Sequence, residues 1–197
     1  MRIGIFGGAF NPVHNGHLQL MNSYLEALGL DRIILIPTSD PPHKSGKGLV
    51  PEEDRLNMLR LVTSNNPIYE VSDLEFRREG KSYTYHTLCQ LRRLYPLDEF
   101  YLIIGSDQYL TFETWYRADD ILKMVTVCTM ARNGDDYEKL LDYKNENKNM
   151  KNTVISDFEV VEISSSNIRE RVKKRESISG LVPEKVEKYI KEHGLYV

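Results

Sequence analysis

His14 and His17 stand three positions apart at the end of a run that also holds Gly7, Gly8 and the rigid Pro12. Glycines let the backbone approach a ligand with no side chain in the way. The free amides that open the helix after them favour an anion. Two imidazoles on a first helical turn share a face and suit one phosphoryl group. Taken singly, a Gly-Gly pair is a tight turn and a histidine a structural hydrogen-bonder; together, between strand and helix, they read as a phosphate site.

Two other stretches repeat this logic. Gly105-Ser106-Asp107 is a small-residue turn ending in a carboxylate, and Ser164-Ser165-Ser166-Asn167-Ile168-Arg169 places hydroxyls and a guanidinium where a helix begins. Arginine there suits charge-assisted bonds to phosphate oxygens. Serine runs also cap helices routinely, so this second stretch gains its meaning from the first. Between residues 38 and 50, Pro41-Pro42-His43-Lys44 followed by Ser45-Gly46-Lys47-Gly48 reads as a basic loop, either a flap over a phosphate or an ordinary solvated connection.

The elements that must hold these residues follow from periodicity. Ile3, Gly4, Ile5 and Phe6 form a short apolar strand, and Leu18, Met21, Leu25 and Leu28 recur at helical spacing after it. Further strands are expected at 32–37, 69–76, 99–104, 124–130 and 158–163. Helices are expected after Pro51, with Leu56, Leu59 and Val62 inward, after Ser82 or Thr84 as cap, with Leu88, Leu91 and Leu94, and after Pro183. Strands alternating with helices give an α/β fold, a doubly wound, Rossmann-like parallel sheet with helices on both faces. In such sheets ligands bind beyond the carboxyl ends of the strands, where Gly7, Gly8 and Gly105 fall. One domain, 1–197, is expected, with an exposed polar excursion of partial helix at 134–152 and a phosphate-binding, helical C-terminal part at 164–197.

The 197 residues carry 41% hydrophobic side chains and a formal net charge of -3. That charge supplies no global basic field for nucleic acid and favours small anionic ligands in a local pocket. Cys89 and Cys128 lack metal-ligand or CxxC spacing and are expected in the core of a protein from a reducing compartment. No signal-like N-terminal run and no membrane-length apolar run occurs, so a soluble cytoplasmic protein is expected.

Taken together, the segments resemble the nucleotidylyltransferase superfamily with its HxGH signature, here His14-Asn15-Gly16-His17, and its late serine-rich Ile-Arg motif, here at 163–169. Within it, Pro41-Pro42-His43-Lys44, Ser82-Tyr83-Thr84, Gly105-x-Asp107 with Trp115, and the ending at 186–196 look like the bacterial nicotinate-nucleotide adenylyltransferase family. Three positions depart from that pattern: Ala9 where many members have Thr or Ser, Asn11 where many have Asp, and His86 where Asp is frequent.

The resemblance implies adenylyl transfer from ATP, carried with Mg²⁺, to nicotinate mononucleotide. It implies that His14, His17, Lys44 and Arg169 act on the phosphates as catalytic residues. Gly7, Gly8, Phe10, Gly105, Asp107, Ser165 and Ser166 would form the ATP side, with Asp107 on the ribose hydroxyls. Thr84 and Trp115 would form the acceptor side, recognising a carboxylate and stacking on the pyridine ring. No metal ligand among the side chains, no nucleic-acid partner and no membrane partner are implied. Two other readings stay open: nucleotidylyl transfer to a different phosphate such as phosphopantetheine, and a nucleotide-sensing module without turnover. Neither GxGxxG nor GxxxxGK[ST] occurs, which argues against a dinucleotide-binding dehydrogenase or a P-loop enzyme.

Overall fold

The computed structural model, described for residues 1–40, 48–131, 134–157 and 163–197, is built on one sheet of six parallel strands in the order β3-β2-β1-β4-β5-β6. The chain runs β1 (Arg2–Gly8), α1 (Asn15–Ala27), β2 (Arg32–Pro37), α2 (Glu52–Thr63), β3 (Tyr69–Val71), α3 (Thr84–Leu94) and β4 (Glu99–Ile103). It continues through α4 (Ser106–Tyr109), a 3-10 turn (Phe112–Thr114), α5 (Ala118–Met124), β5 (Thr126–Met130), α6 (Gly134–Glu146), a second 3-10 turn (Lys148–Met150), β6 (Val154–Ser156), α7 (Ser165–Lys173) and α8 (Glu184–Glu192).

Alternate strand residues feed two cores. Phe6, Ile33, Leu35, Tyr101 and Ile103 pack with α1, α2, α7 and α8 through Met21, Tyr24, Leu59, Ile168 and Ile190. Ile3, Ile5, Ile34, Ile36, Phe100 and Leu102 face the other way, onto Leu88 and Leu91 of α3, Ile121 of α5 and Leu140 of α6. Both faces are covered, so the central strands read as unbroken apolar runs rather than alternating ones. Winding reverses between β1 and β4, where Phe6 pairs with Ile103. The carboxyl ends of these two strands, with Gly7 and Gly8 on one and Gly105 to Asp107 on the other, therefore flank the crevice where an open α/β sheet binds ligands.

Several local expectations need correction. The sheet holds an unexpected strand at Val154–Ser156, while the strand expected at 158–163 falls, at residues 158–162, outside the described part. The strand expected at 69–76 stops at Val71, because the chain then turns to send Glu75 inward, where its carboxylate accepts a hydrogen bond from Thr87 at 2.7 Å. Neither Ser82 nor Thr84 caps α3; Tyr83 holds the cap position, and Ser82 is buried beside Asp40, whose amide it accepts at 3.4 Å. Leu94 lies outside the core, 63% exposed, and Cys89 is only half-buried, whereas Cys128 is fully buried. The stretch expected as an exposed excursion is mostly the helix α6. Tyr137, Leu140 and Tyr143 make an apolar stripe at helical spacing that the Asn and Lys residues hide, and Leu140 is fully buried.

Candidate active site

His14 and His17 do more than share a face. His14 is the N-cap of α1, in extended conformation, and its Nδ1 accepts the His17 amide at 3.3 Å while the His17 Nδ1 accepts the His14 amide at 3.2 Å. This is a capping box made of two imidazoles. The rings stack with centroids 3.6 Å apart. Burial pushes the His14 imidazolium down to about 4, and burial, followed by the charge of His14, lowers His17 well below the usual histidine range. Both rings are therefore neutral near pH 7. Because each Nδ1 is an acceptor, each neutral ring carries its proton on Nε2. The pair thus presents two N–H donors of fixed orientation.

The support beneath them is aromatic. Phe10, expected on the ATP side, is 2% exposed, and its ring packs edge-on against Phe6 and His17 at 5.4 and 5.1 Å. Its φ of +45° is left-handed, a costly backbone for phenylalanine that is kept where surroundings enforce it.

Helix α7 docks directly on this turn. Ser164 caps it, the Ser165 hydroxyl donates to the Pro12 carbonyl at 2.9 Å, and Arg169 donates to the Asn11 carbonyl at 2.9 Å and to the Ser166 hydroxyl at 3.1 Å. The late motif and the first motif are thus brought together across about 150 residues of sequence. Ser165 is engaged in that docking rather than left free. Lys44 lies outside the described residues.

At the neighbouring strand end, Gly105 caps α4 and Asp107 lies in its first turn; a Cβ on Gly105 would sit 3.0 Å from Asp107 Oδ1. Gly105 is what lets the carboxylate fold back over the turn. Elsewhere, Thr84 opens α3, where among the described residues no side chain caps the first turn, and the half-buried Trp115 ring packs on Phe112 at 5.0 Å. An uncapped helix N-terminus of this length is suited to a carboxylate.

Two residues of the site escape sequence reasoning. Asn11, 3% exposed, donates from Nδ2 to the Gly48 carbonyl at 2.8 Å, and its Oδ1 accepts the Val50 amide at 3.2 Å and the Tyr196 hydroxyl at 3.0 Å. Arg55, 1% exposed in α2, donates to the carbonyls of Ala9 at 3.0 Å and Thr38 at 2.6 Å and covers the Phe76 ring. Burial lowers its pKa, against the pull of Glu52. A charged residue beside Leu56 and Leu59 looks like solvent-facing punctuation, so its burial has no sequence signal.

The cytidylyltransferase-like family matches residues 5–171. The nicotinate-nucleotide adenylyltransferase of Bacillus subtilis is 37% identical across 99% of this chain and 98% of its own length. The chain belongs to the nicotinate-nucleotide adenylyltransferase family. Another relative, named "Probable nicotinate-nucleotide adenylyltransferase", from Geobacillus thermodenitrificans, is 42% identical across 99% of this chain and 86% of its own length. Among solved structures, the Plasmodium falciparum nicotinic acid mononucleotide adenylyltransferase complexed with NaAD shares the fold, with a TM-score of 0.81 at 22% identity over 99% of this chain and 97% of that one. In this adenylyltransferase family member, His14 and His17 open α1 just beyond β1, at the switch point of the sheet. Among the described residues no helix is long and apolar enough to cross a membrane.

Proposed function

We infer that this chain transfers the adenylyl group of ATP to the phosphate of nicotinate mononucleotide, forming the deamido dinucleotide of NAD biosynthesis and releasing pyrophosphate. The observation that carries the chemistry is the mutual cap of His14 and His17, which fixes two Nε2–H donors beside the β1–β4 crevice.

The nucleophile is a phosphate monoester oxygen, largely ionised at neutral pH because its second pKa is about 6. It needs no strong base. It attacks the α-phosphorus of ATP, the bond to the bridging oxygen of pyrophosphate breaks, and pyrophosphate leaves with that electron pair. Charge grows on the α-phosphoryl oxygens and the leaving group, and preorganised donors stabilise it. His14 and His17 take the first task; Arg169 and Lys44 neutralise the polyphosphate, with Ser166 beside Arg169. Gly7, where an added Cβ would meet nothing within 4 Å, leaves room for the nucleotide, whereas Gly8, expected beside it, instead makes room for the Phe10 ring, 3.3 Å from where its Cβ would lie. Phe10 holds His17 from beneath, and Asp107 over Gly105 accepts from the ribose hydroxyls. Among the described residues no three His, Cys, Asp or Glu side chains converge on a metal site; Mg²⁺ enters this proposal as part of the substrate, bound by phosphate oxygens.

On the acceptor side, the uncapped amides at Thr84 receive the nicotinate carboxylate and Trp115 stacks on the pyridine ring. An amide in place of the carboxylate would turn N–H groups toward N–H groups, which disfavours nicotinamide mononucleotide. A cytoplasmic location completes the reading. The test is pyrophosphate release from ATP and Mg²⁺ with nicotinate mononucleotide, nicotinamide mononucleotide and phosphopantetheine in parallel. Preference for the first is expected; equal use of the first two overturns the acid specificity, and activity with the third alone overturns the acceptor.

A further inference from the structure

We propose that Tyr196 is a positioning residue of the triphosphate site, acting through Asn11 on Arg169. The inference rests on the adenylyl-transfer reading above and assigns part of that site to the segment after α8, far in sequence from either phosphate motif.

The contact chain is short. The Tyr196 hydroxyl donates to Asn11 Oδ1, and the carbonyl of the same Asn11 accepts from Arg169 Nη1. Asn11 is nearly inaccessible to water, so a partner lost there is not replaced by solvent. Its Oδ1 is shared between Tyr196 and the Val50 amide, and its Nδ2 is held by the Gly48 carbonyl. Four contacts therefore fix one residue, and the aim of Arg169 depends on that residue's backbone.

Tyr196 is itself held in a conformation with a cost. Its φ is +66°, left-handed, two residues after Gly194 at +58°. A bulky side chain keeps such a backbone only where its surroundings over-determine it. Here the ring packs against the core under α7 and α8. Burial raises the phenol, with Arg169 and Arg55 pulling the other way, so the hydroxyl stays protonated and able to donate throughout the neutral range. A tyrosine that merely docked its segment would need the ring and not this hydroxyl.

Tyr196→Phe removes the hydroxyl alone. The experiment measures Kd for ATP and for nicotinate mononucleotide by calorimetry in the wild type, Tyr196→Phe, Arg169→Ala and the double variant, with melting temperatures alongside. Tyr196→Phe is expected to weaken ATP about three- to tenfold, the order one hydrogen bond controls. Binding of nicotinate mononucleotide should stay within about twofold, and Tyr196→Phe should add nothing once Arg169 is gone, the signature of a shared path. Unchanged ATP binding, an equal loss for both ligands, or additivity with Arg169→Ala overturns the proposal. Pyrophosphate release by the wild type reports separately on the underlying reaction, so failure of one is not mistaken for failure of the other.

Discussion

His14 and His17 each accept the other's backbone amide through Nδ1, at distances of 3.3 and 3.2 Å, so the two rings proposed to meet the phosphates also build the first turn of α1. Fold and chemistry are joined at this point. The cap sets the tautomer, and the tautomer sets which nitrogen donates.

Those two duties separate on substitution. His17→Asn keeps an oxygen where Nδ1 accepts and loses the Nε2–H; turnover should fall about 10²–10³-fold, the effect of removing one preorganised donor. His17→Ala loses both the donor and the reciprocal bond to the His14 amide. It should lose turnover at least as far as His17→Asn and in addition unfold at lower denaturant, by about 1 kcal/mol for the lost cap. Steady-state kinetics and urea titration of the two variants check the split, and equal losses on both axes would contradict it.

Acid should destabilise the free protein through the same pair. An unfolded histidine titrates near 6.5, whereas burial pushes His14 down to about 4 in the folded chain and, with the charge of His14, holds His17 well below the usual histidine range. Between these values the unfolded state binds more protons, so stability rises with pH there. The contribution is complete above the unfolded value and is lost as pH falls toward the folded one, with a slope of up to about 1.4 kcal/mol per pH unit for each ring. Urea unfolding from pH 7 to 4 should show this slope, and His14→Asn should flatten it by about one proton's worth.

Arg55 should matter for stability beyond its charge. Arg55→Met keeps the apolar stem but strips donors from the carbonyls of Ala9 and Thr38 in a buried setting. A loss of about 2–4 kcal/mol is expected, and Arg55→Lys should recover little of it because an ammonium cannot reproduce the planar fork. Denaturant unfolding of both variants gives the comparison.

Gly105→Ala tests the Asp107 carboxylate without touching it. The added Cβ would meet Asp107 Oδ1 at 3.0 Å, and the far end of a flexible side chain can move away. Stability should change by less than about 1 kcal/mol, as for most substitutions outside a packed core. KM for ATP should rise toward that of Asp107→Ala, with KM for nicotinate mononucleotide unchanged. An unaltered KM for ATP would remove Asp107 from the nucleotide site.

The sequence by itself determined the parallel α/β sheet, most strand and helix positions near the site and the identity of its histidines, because these rest on local periodicity and on residue types whose chemistry is visible one at a time. Ile3 to Phe6 announce a strand wherever they occur, and His14-x-x-His17 announces a helix start with two rings. Tertiary structure alone decided how those parts meet. It joined Arg169 to Asn11 and Ser165 to Pro12, sent Arg55 inward under Ala9, and placed Tyr196 on Asn11. Each of these contacts pairs residues far apart in the chain, so its energy depends on where the sheet order brings their backbones. A buried arginine and a solvated one are written with the same letter. Only the packed fold, by excluding water from one of them, makes their roles differ.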